Sequence, residues 1–237
     1  AEGSRPPMFC VHPAGGQIGA YLRLRELLGP DQPLYALQSR GLGDPDAEHA
    51  SLEAMADDYA GLIERARPGE PIRLCGWSLG GLTAHAVAAV LEAHDVAVVD
   101  LAMIDVPEPG RVLDGAVIGL AGIIYDANPE ASAASIADLP GDAGLALLEE
   151  RGLSARGALT PERFEAARRL YARHAALVQT HRPRVVAAPL HLFWARAPRE
   201  PGVWRARTRG GVTETVVGGT HHTVVRAPLL DVIARAL

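Results

Sequence analysis

Residues 76–80 read Gly-Trp-Ser-Leu-Gly, and their neighbours constrain the fold more than the pentapeptide does. Before them, Ile72-Arg73-Leu74-Cys75 is a short apolar run that reads as a buried strand. After them, Gly81 to Leu91 is small, apolar and helix-compatible. A strand that turns sharply into a helix, with a serine at the turn, is the nucleophile-elbow arrangement. Gly76 and Gly80 lack a Cβ, so the turn can be tight and the helix can pack close to the strand. In a chain with 25 glycines the bare pattern means little; its strand-and-helix context predicts a strained turn that exposes the Ser78 hydroxyl at the carboxyl end of a sheet.

A serine hydroxyl is a poor nucleophile at neutral pH and needs a base, which in turn needs an orienting acid. On a strand–elbow–helix framework these follow in the order serine, acid, histidine. The run Val96 to Ile104 reads as a strand and ends in Asp105. A carboxylate closing an apolar strand is costly to bury without a role. The rival position follows the strand Leu190–Trp194, where Ala195 to Glu200 contains no Asp; Glu200 there lies among arginines and a proline, as in a surface loop.

The base must come from nine histidines. His94, His174 and His181 lie in or near polar helical stretches and read as solvated. His49 reads as a loop residue, His85 as packed on the helix after the elbow, and His191 as a core residue of its strand. His12 ends the first strand and is a candidate neighbour of the site. His221 and His222 follow the strand-like Thr213–Val217 and precede a final helix, Ala227 to Leu237, with Pro228 near its first turn. That late loop is where the base belongs. An oxyanion hole takes one N–H from the residue after the nucleophile, here Leu79, and another from the loop after an early strand. That strand is Met8–Val11 and its loop is His12-Pro13-Ala14-Gly15-Gly16, which reads equally well as an ordinary strand-to-helix turn.

Three segments together resemble the thioesterase domain of a nonribosomal peptide synthetase. They are Phe9 to Leu42 (with His12 to Gly16, Tyr21, Pro33 to Gln38 and Arg40-Gly41-Leu42), Leu74 to Leu82, and Gly219 to Pro228. They occur in the family's order and cover the chain except its middle. The resemblance implies an α/β-hydrolase fold, that is, an α/β chain with a mostly parallel central sheet, flanking helices and a helical lid insertion. It carries over Ser78 as nucleophile, Asp105 as acid, His221 as base, and Ala14 and Leu79 as oxyanion-hole positions. It implies a peptidyl thioester substrate on the phosphopantetheine arm of an upstream peptidyl carrier protein, with no cofactor or metal of the domain's own. The chain departs from the family at His85-Ala86, where Tyr-Glu is usual, and at His222, where an aromatic is usual. In an extended loop neighbours point in opposite directions, so His222 reads first as facing away from the site with a local hydrogen bond; the other reading makes it a candidate second base for an epimerising release of the nocardicin type. Release by hydrolysis is the default outcome the resemblance implies; macrocyclising release, or a free-standing esterase or editing thioesterase, are the alternatives.

The remaining features bound this reading. A chain of 237 residues with 48% hydrophobic content suits one α/β core. A net charge of −5 without a basic run argues against nucleic acid. The apolar stretch Ala116 to Tyr125 is far short of the ~20 residues that span a bilayer. Residues 1–7 read as a linker remnant of a longer protein and 8–237 as a single domain, with a lid insertion over about 107–188. Cys10 and Cys75 read as buried thiols in core strands, which suits a reducing cytoplasm. No metal-ligand spacing or dinucleotide fingerprint stands out. Leu52, Met55, Ala56, Tyr59, Leu62, Ile63 and Ala66 form a helical stripe behind Ser51 as cap, and Thr160-Pro161-Glu162 opens a long helix with Phe164, Ala167, Tyr171, Ala175 and Val178 on one face.

Overall fold

The computed structural model describes residues 3–107, 160–198 and 202–237, with the single positions Ala143 and Ala146. Among them, β1 (Met8–Val11), β2 (Leu34–Leu37), β3 (Ile72–Trp77), β4 (Val98–Ile104), β5 (Leu190–Trp194) and β6 (Val212–Val216) form one sheet. Its order is β2-β1-β3-β4-β5-β6, and every pairing is parallel. The α-helices that lie wholly among the described residues are α1 (Ala20–Leu28), α2 (Leu52–Ala66), α3 (Leu79–Ala93), α4 (Pro161–Thr180) and α5 (Leu229–Ala236).

Alternation along the strands divides the core into two layers. Phe9 and Val11, Leu74, Leu101 and Met103, and Leu190 and Leu192 face one layer, with α2, α3 and the end of α4. Met8 and Cys10, Cys75, Ala102 and Ile104, and Phe193 face the other, with α1 and α5. Strands buried on both sides need continuous apolar runs, and β1 and β3 are fully buried along their length. Cys10 and Cys75 are register partners and both are free and buried.

Local chemistry sets the helix ends. The Ser51 hydroxyl accepts from the Ala54 N–H at the start of α2. Thr160 does the same for Arg163 at the start of α4, where Pro161 occupies the first turn. β4 begins two residues later than the apolar run suggests. Val96 N–H donates to Leu91 O, and Asp95 has φ 62°, so the chain is still leaving α3 there. β3 runs on through Gly76 and Trp77, which pair with Met103 and Ile104.

Chain order places the site. From β1 the sheet grows one way to β2 and the other way to β3. Connections leave this switch point in opposite directions and open a crevice at the carboxyl ends of the strands. The loop 12–16 leaves β1 on one side of that crevice, and the turn at Ser78 leaves β3 on the other. Tyr21 bridges the split. Its hydroxyl accepts from Trp77 N–H at 3.0 Å and donates to Val11 O at 2.5 Å. The apolar segment Val117–Tyr125, the segment Gly144–Leu148 apart from Ala146, and the rival acid Glu200 lie outside the described residues. Among the described residues no helix is long and apolar enough to cross a membrane.

Candidate active site

Ser78 stands between β3 and α3 with φ 56° and ψ −126°. A non-glycine residue at positive φ is strained and persists when its surroundings over-determine it. The surroundings here are tight. A Cβ on Gly76 would meet Gly80 O at 2.1 Å, and one on Gly80 would meet Val11 O at 2.2 Å. Both clashes are with backbone, so no side chain can yield. Gly76→Ala is therefore expected to lower stability by about 3 kcal/mol or more, at the upper end of overpacking effects. A thermal melt checks this, and an unchanged midpoint would contradict it.

The structure brings Ser78, His221 and Asp105 together. Ser78 Oγ lies 2.9 Å from His221 Nε2, and His221 Nδ1 lies 2.6 Å from Asp105 Oδ2. Asp105 ends β4 at φ 44°, and its N–H donates to Phe193 O. The second carboxylate oxygen accepts from Ala195 N–H at 2.8 Å. Burial raises the Asp105 carboxyl, but the hydrogen bond and charge of His221 and the Ala195 N–H outweigh it and hold the group below its ordinary range. His221 is held through its backbone, because Trp77 Nε1 donates to His221 O at 3.0 Å. The Trp77 ring also lies 5.2 Å from the His221 ring.

Leu79 opens α3, so its N–H is among the helix's unsatisfied N-terminal donors, at the positive end of the dipole. Ala14 lies in a β-turn closed by Gly16 N–H to Pro13 O at 3.0 Å. Gly15 has φ 92° there, and a Cβ on it would run into the Tyr171 ring. A helix N-terminal N–H, a serine hydroxyl, an imidazole and a carboxylate thus meet at the crevice. That set can form and resolve an ester on a hydroxyl.

The other histidines sort differently from their sequence reading. His174 and His181, read as solvated, are both buried. His174 lies on the stripe of Phe164, Tyr171 and Val178, and partners distant in sequence satisfy both ring nitrogens: Gly15 N–H and Glu48. His181 caps the end of α4 and meets Glu53 at 2.8 Å. His191 is half-exposed rather than core, because β5 turns it toward Asp100 near the sheet surface. His85 packs as expected, against Trp204, with Nε2 donating to Arg207 O. His49 is in a loop but buried, with its ring nitrogens facing Glu48 and Asp58. His94 is exposed. His222 is half-buried, edge-on to His221 at 5.1 Å and to Trp77 at 5.7 Å.

The sequence profile described as "Thioesterase domain" matches residues 6–237. A probable non-canonical nonribosomal peptide synthetase, CymA of Salinispora arenicola, is 31% identical over 247 residues, covering 99% of this chain and 3% of that protein. The malpinin synthetase of Mortierella alpina is 45% identical over 112 residues, covering 47% of this chain and 1% of that protein. The chain thus spans a small fraction of the length of these curated relatives. Among solved structures, the four-domain nonribosomal peptide synthetase holo-AB3403 superposes with a TM-score of 0.84 at 24% identity, covering 98% of this chain and 19% of that one. The NocB thioesterase domain from the nocardicin cluster gives 0.71 at 22% identity, covering 99% and 92%. These likenesses establish the α/β-hydrolase fold that the parallel sheet and its switch point display. Since the profile match runs through nearly all of the chain and its relatives are peptide synthetases, the chain belongs to the thioesterase-domain family found in nonribosomal peptide synthetases.

Proposed function

We propose that the domain releases a finished peptide from its synthetase through an ester on Ser78. The substrate arrives as a thioester on the phosphopantetheine of an upstream peptidyl carrier protein. His221 takes the Ser78 proton as Oγ attacks the thioester carbonyl. The Ala14 and Leu79 N–H groups hold the oxyanion, and Asp105 keeps His221 in the tautomer whose Nε2 accepts. The carrier thiol leaves with the proton from His221, and water then hydrolyses the peptidyl ester, with His221 as base again. The observation that carries this reading is the unbroken chain Ser78–His221–Asp105, with the serine on a strained turn at a helix N-terminus. The domain is read as residues 8–237, with 107–188 inserted over the site. Free thiols at Cys10 and Cys75 suit a reducing cytoplasm.

Intact-protein mass spectrometry with peptidyl thioester analogues tests the reading. The expected result is an acyl adduct on Ser78 followed by free acid as product. A ring product would replace hydrolysis by cyclisation, and turnover without any adduct would remove the covalent route. His222 as a second base for C-terminal epimerisation is the weaker finer reading. Burial, then the neighbouring charges of His221 and Arg226, push it down to about 3, where imidazole takes up a proton poorly. Substrates epimeric at the C-terminal residue, turned over in deuterated water, decide it. One product epimer carrying deuterium at the α-carbon, lost in His222→Phe, would establish that role; retained configuration without label would end it.

A further inference from the structure

Behind the Pro13–Gly16 turn lies a buried polar cluster that the reaction above does not use. It contains His12 and His174, both 0% exposed, with Glu48, Ser39 and Tyr59. His12 Nδ1 lies 2.8 Å from Pro13 O and Nε2 lies 2.7 Å from the Tyr59 hydroxyl. A carbonyl only accepts, so Nδ1 carries the proton. Burial, reinforced by His174, pushes His12 down to about 3, so the ring is neutral and Nε2 accepts from Tyr59. The other contact of that hydroxyl, to Gln38 O, is long at 3.5 Å.

His174 has the opposite tautomer. Gly15 N–H only donates, and it meets His174 Nδ1 at 3.1 Å. Nε2 therefore carries the proton and points it at Glu48 at 3.0 Å. Burial raises the Glu48 carboxyl, but hydrogen bonds from His174, Ser39 and His49 outweigh it and hold it well below the carboxylate range. The two imidazoles stack at 5.3 Å.

His12, Glu48 and His174 have metal-ligand atoms within 4.8 Å of one another. The tautomers turn an N–H, not a lone pair, from His174 toward Glu48. The cluster is therefore built as a hydrogen-bond chain.

The chain ends on one peptide unit. Pro13 O accepts from both His12 Nδ1 and Gly16 N–H. The Pro13–Ala14 peptide is planar and trans, so its N–H points opposite to its C=O. Tying Pro13 O on the buried side aims the Ala14 N–H away from it. The bond from Gly15 to His174 holds the next peptide. We propose that His12 and His174 are positioning residues: they clamp the turn from behind and aim the Ala14 N–H at the developing oxyanion. This rests on Ala14 supplying an oxyanion donor.

The test compares variants by kcat, KM and affinity for a peptidyl boronate that mimics the tetrahedral intermediate. Removing an oxyanion donor outright costs about 10²–10³ in kcat, so mis-aiming one in His12→Leu is expected to cost about 10–10² with KM nearly unchanged. Boronate affinity falls in step. His12→Asn returns an N–H near the Nδ1 position and is expected to recover most of the loss. Equal losses in the two variants would overturn the aiming role. If His12→Leu does not fold, the His174 pair decides. His174→Asn keeps an acceptor near Nδ1 for Gly15, whereas His174→Gln keeps the contact to Glu48. The Asn variant is expected to be the faster, and equal kcat values would overturn the clamp. Fluorophosphonate labelling of Ser78 in the unaltered domain separates the two levels. Absence of labelling removes the catalytic reading and this inference with it. Labelling together with kcat within about 2-fold in a folded His12→Leu removes the inference alone.

Discussion

Ser78→Ala is expected to abolish acyl-enzyme formation and lower turnover by on the order of 10³ or more. Without Oγ, nothing at 2.9 Å from His221 Nε2 can attack the carbonyl. His221→Ala is expected to cost a comparable factor, because nucleophile and base act as a unit and neither works alone. Both variants should melt near the unaltered domain. Ser78 sits on a strained turn, so replacing it adds no strain, and His221 is anchored by its backbone to Trp77. The decisive measurement is single-turnover acylation with a peptidyl thioester, followed by mass. A near-normal His221→Ala beside a dead His222→Ala would mean that the base is the wrong histidine of the pair.

Asp105→Asn is expected to lose roughly 10²–10⁴ in rate while leaving the fold intact. The geometry explains how. Asp105 Oδ1 takes the Ala195 N–H, which an Asn carbonyl would keep. That leaves the Asn NH₂ facing His221 Nδ1 at the place of Oδ2. Donation from there forces Nδ1 to accept and puts the His221 proton on Nε2, against Ser78, where the base must have a lone pair. The loss should therefore appear in acylation rate rather than in substrate affinity. Glu200→Gln, the rival acid on sequence grounds, is expected to change the rate little. The reverse pattern would move the acid beyond β5.

Much of this was readable from short stretches of chain. Strand β1 is a four-residue apolar run and β5 a five-residue run broken only by His191, and both occur where their composition puts them. Helix α2 follows its apolar stripe from its Ser51 cap. The elbow was legible because backbone crowding allows only glycine at two of its positions, and that requirement is written in residue types. Less was legible where the signal is weak. Edge strand β2 is only partly buried along its length, so it has no buried apolar run to mark it. Helix α1 has nine residues and no side-chain cap.

The histidines mark the boundary most sharply. His221 was marked by its place in the order of elements, since a loop between last strand and last helix is a local feature. His174 was read as solvated because nothing near it in sequence explains its burial. Its partners, Gly15 and Glu48, are 159 and 126 residues away. His12 and Tyr59 likewise meet across 47 residues. The sequence by itself determined the order of strands and helices apart from β2 and α1, the serine on its turn, and the loops that carry Asp105 and His221. These follow from periodicity and from residue types that a tight backbone demands. Only the tertiary structure decided which ring nitrogen carries each proton and which peptide each side chain holds. A tautomer is set by whichever donor or acceptor packing brings within 3 Å, and no local pattern records that.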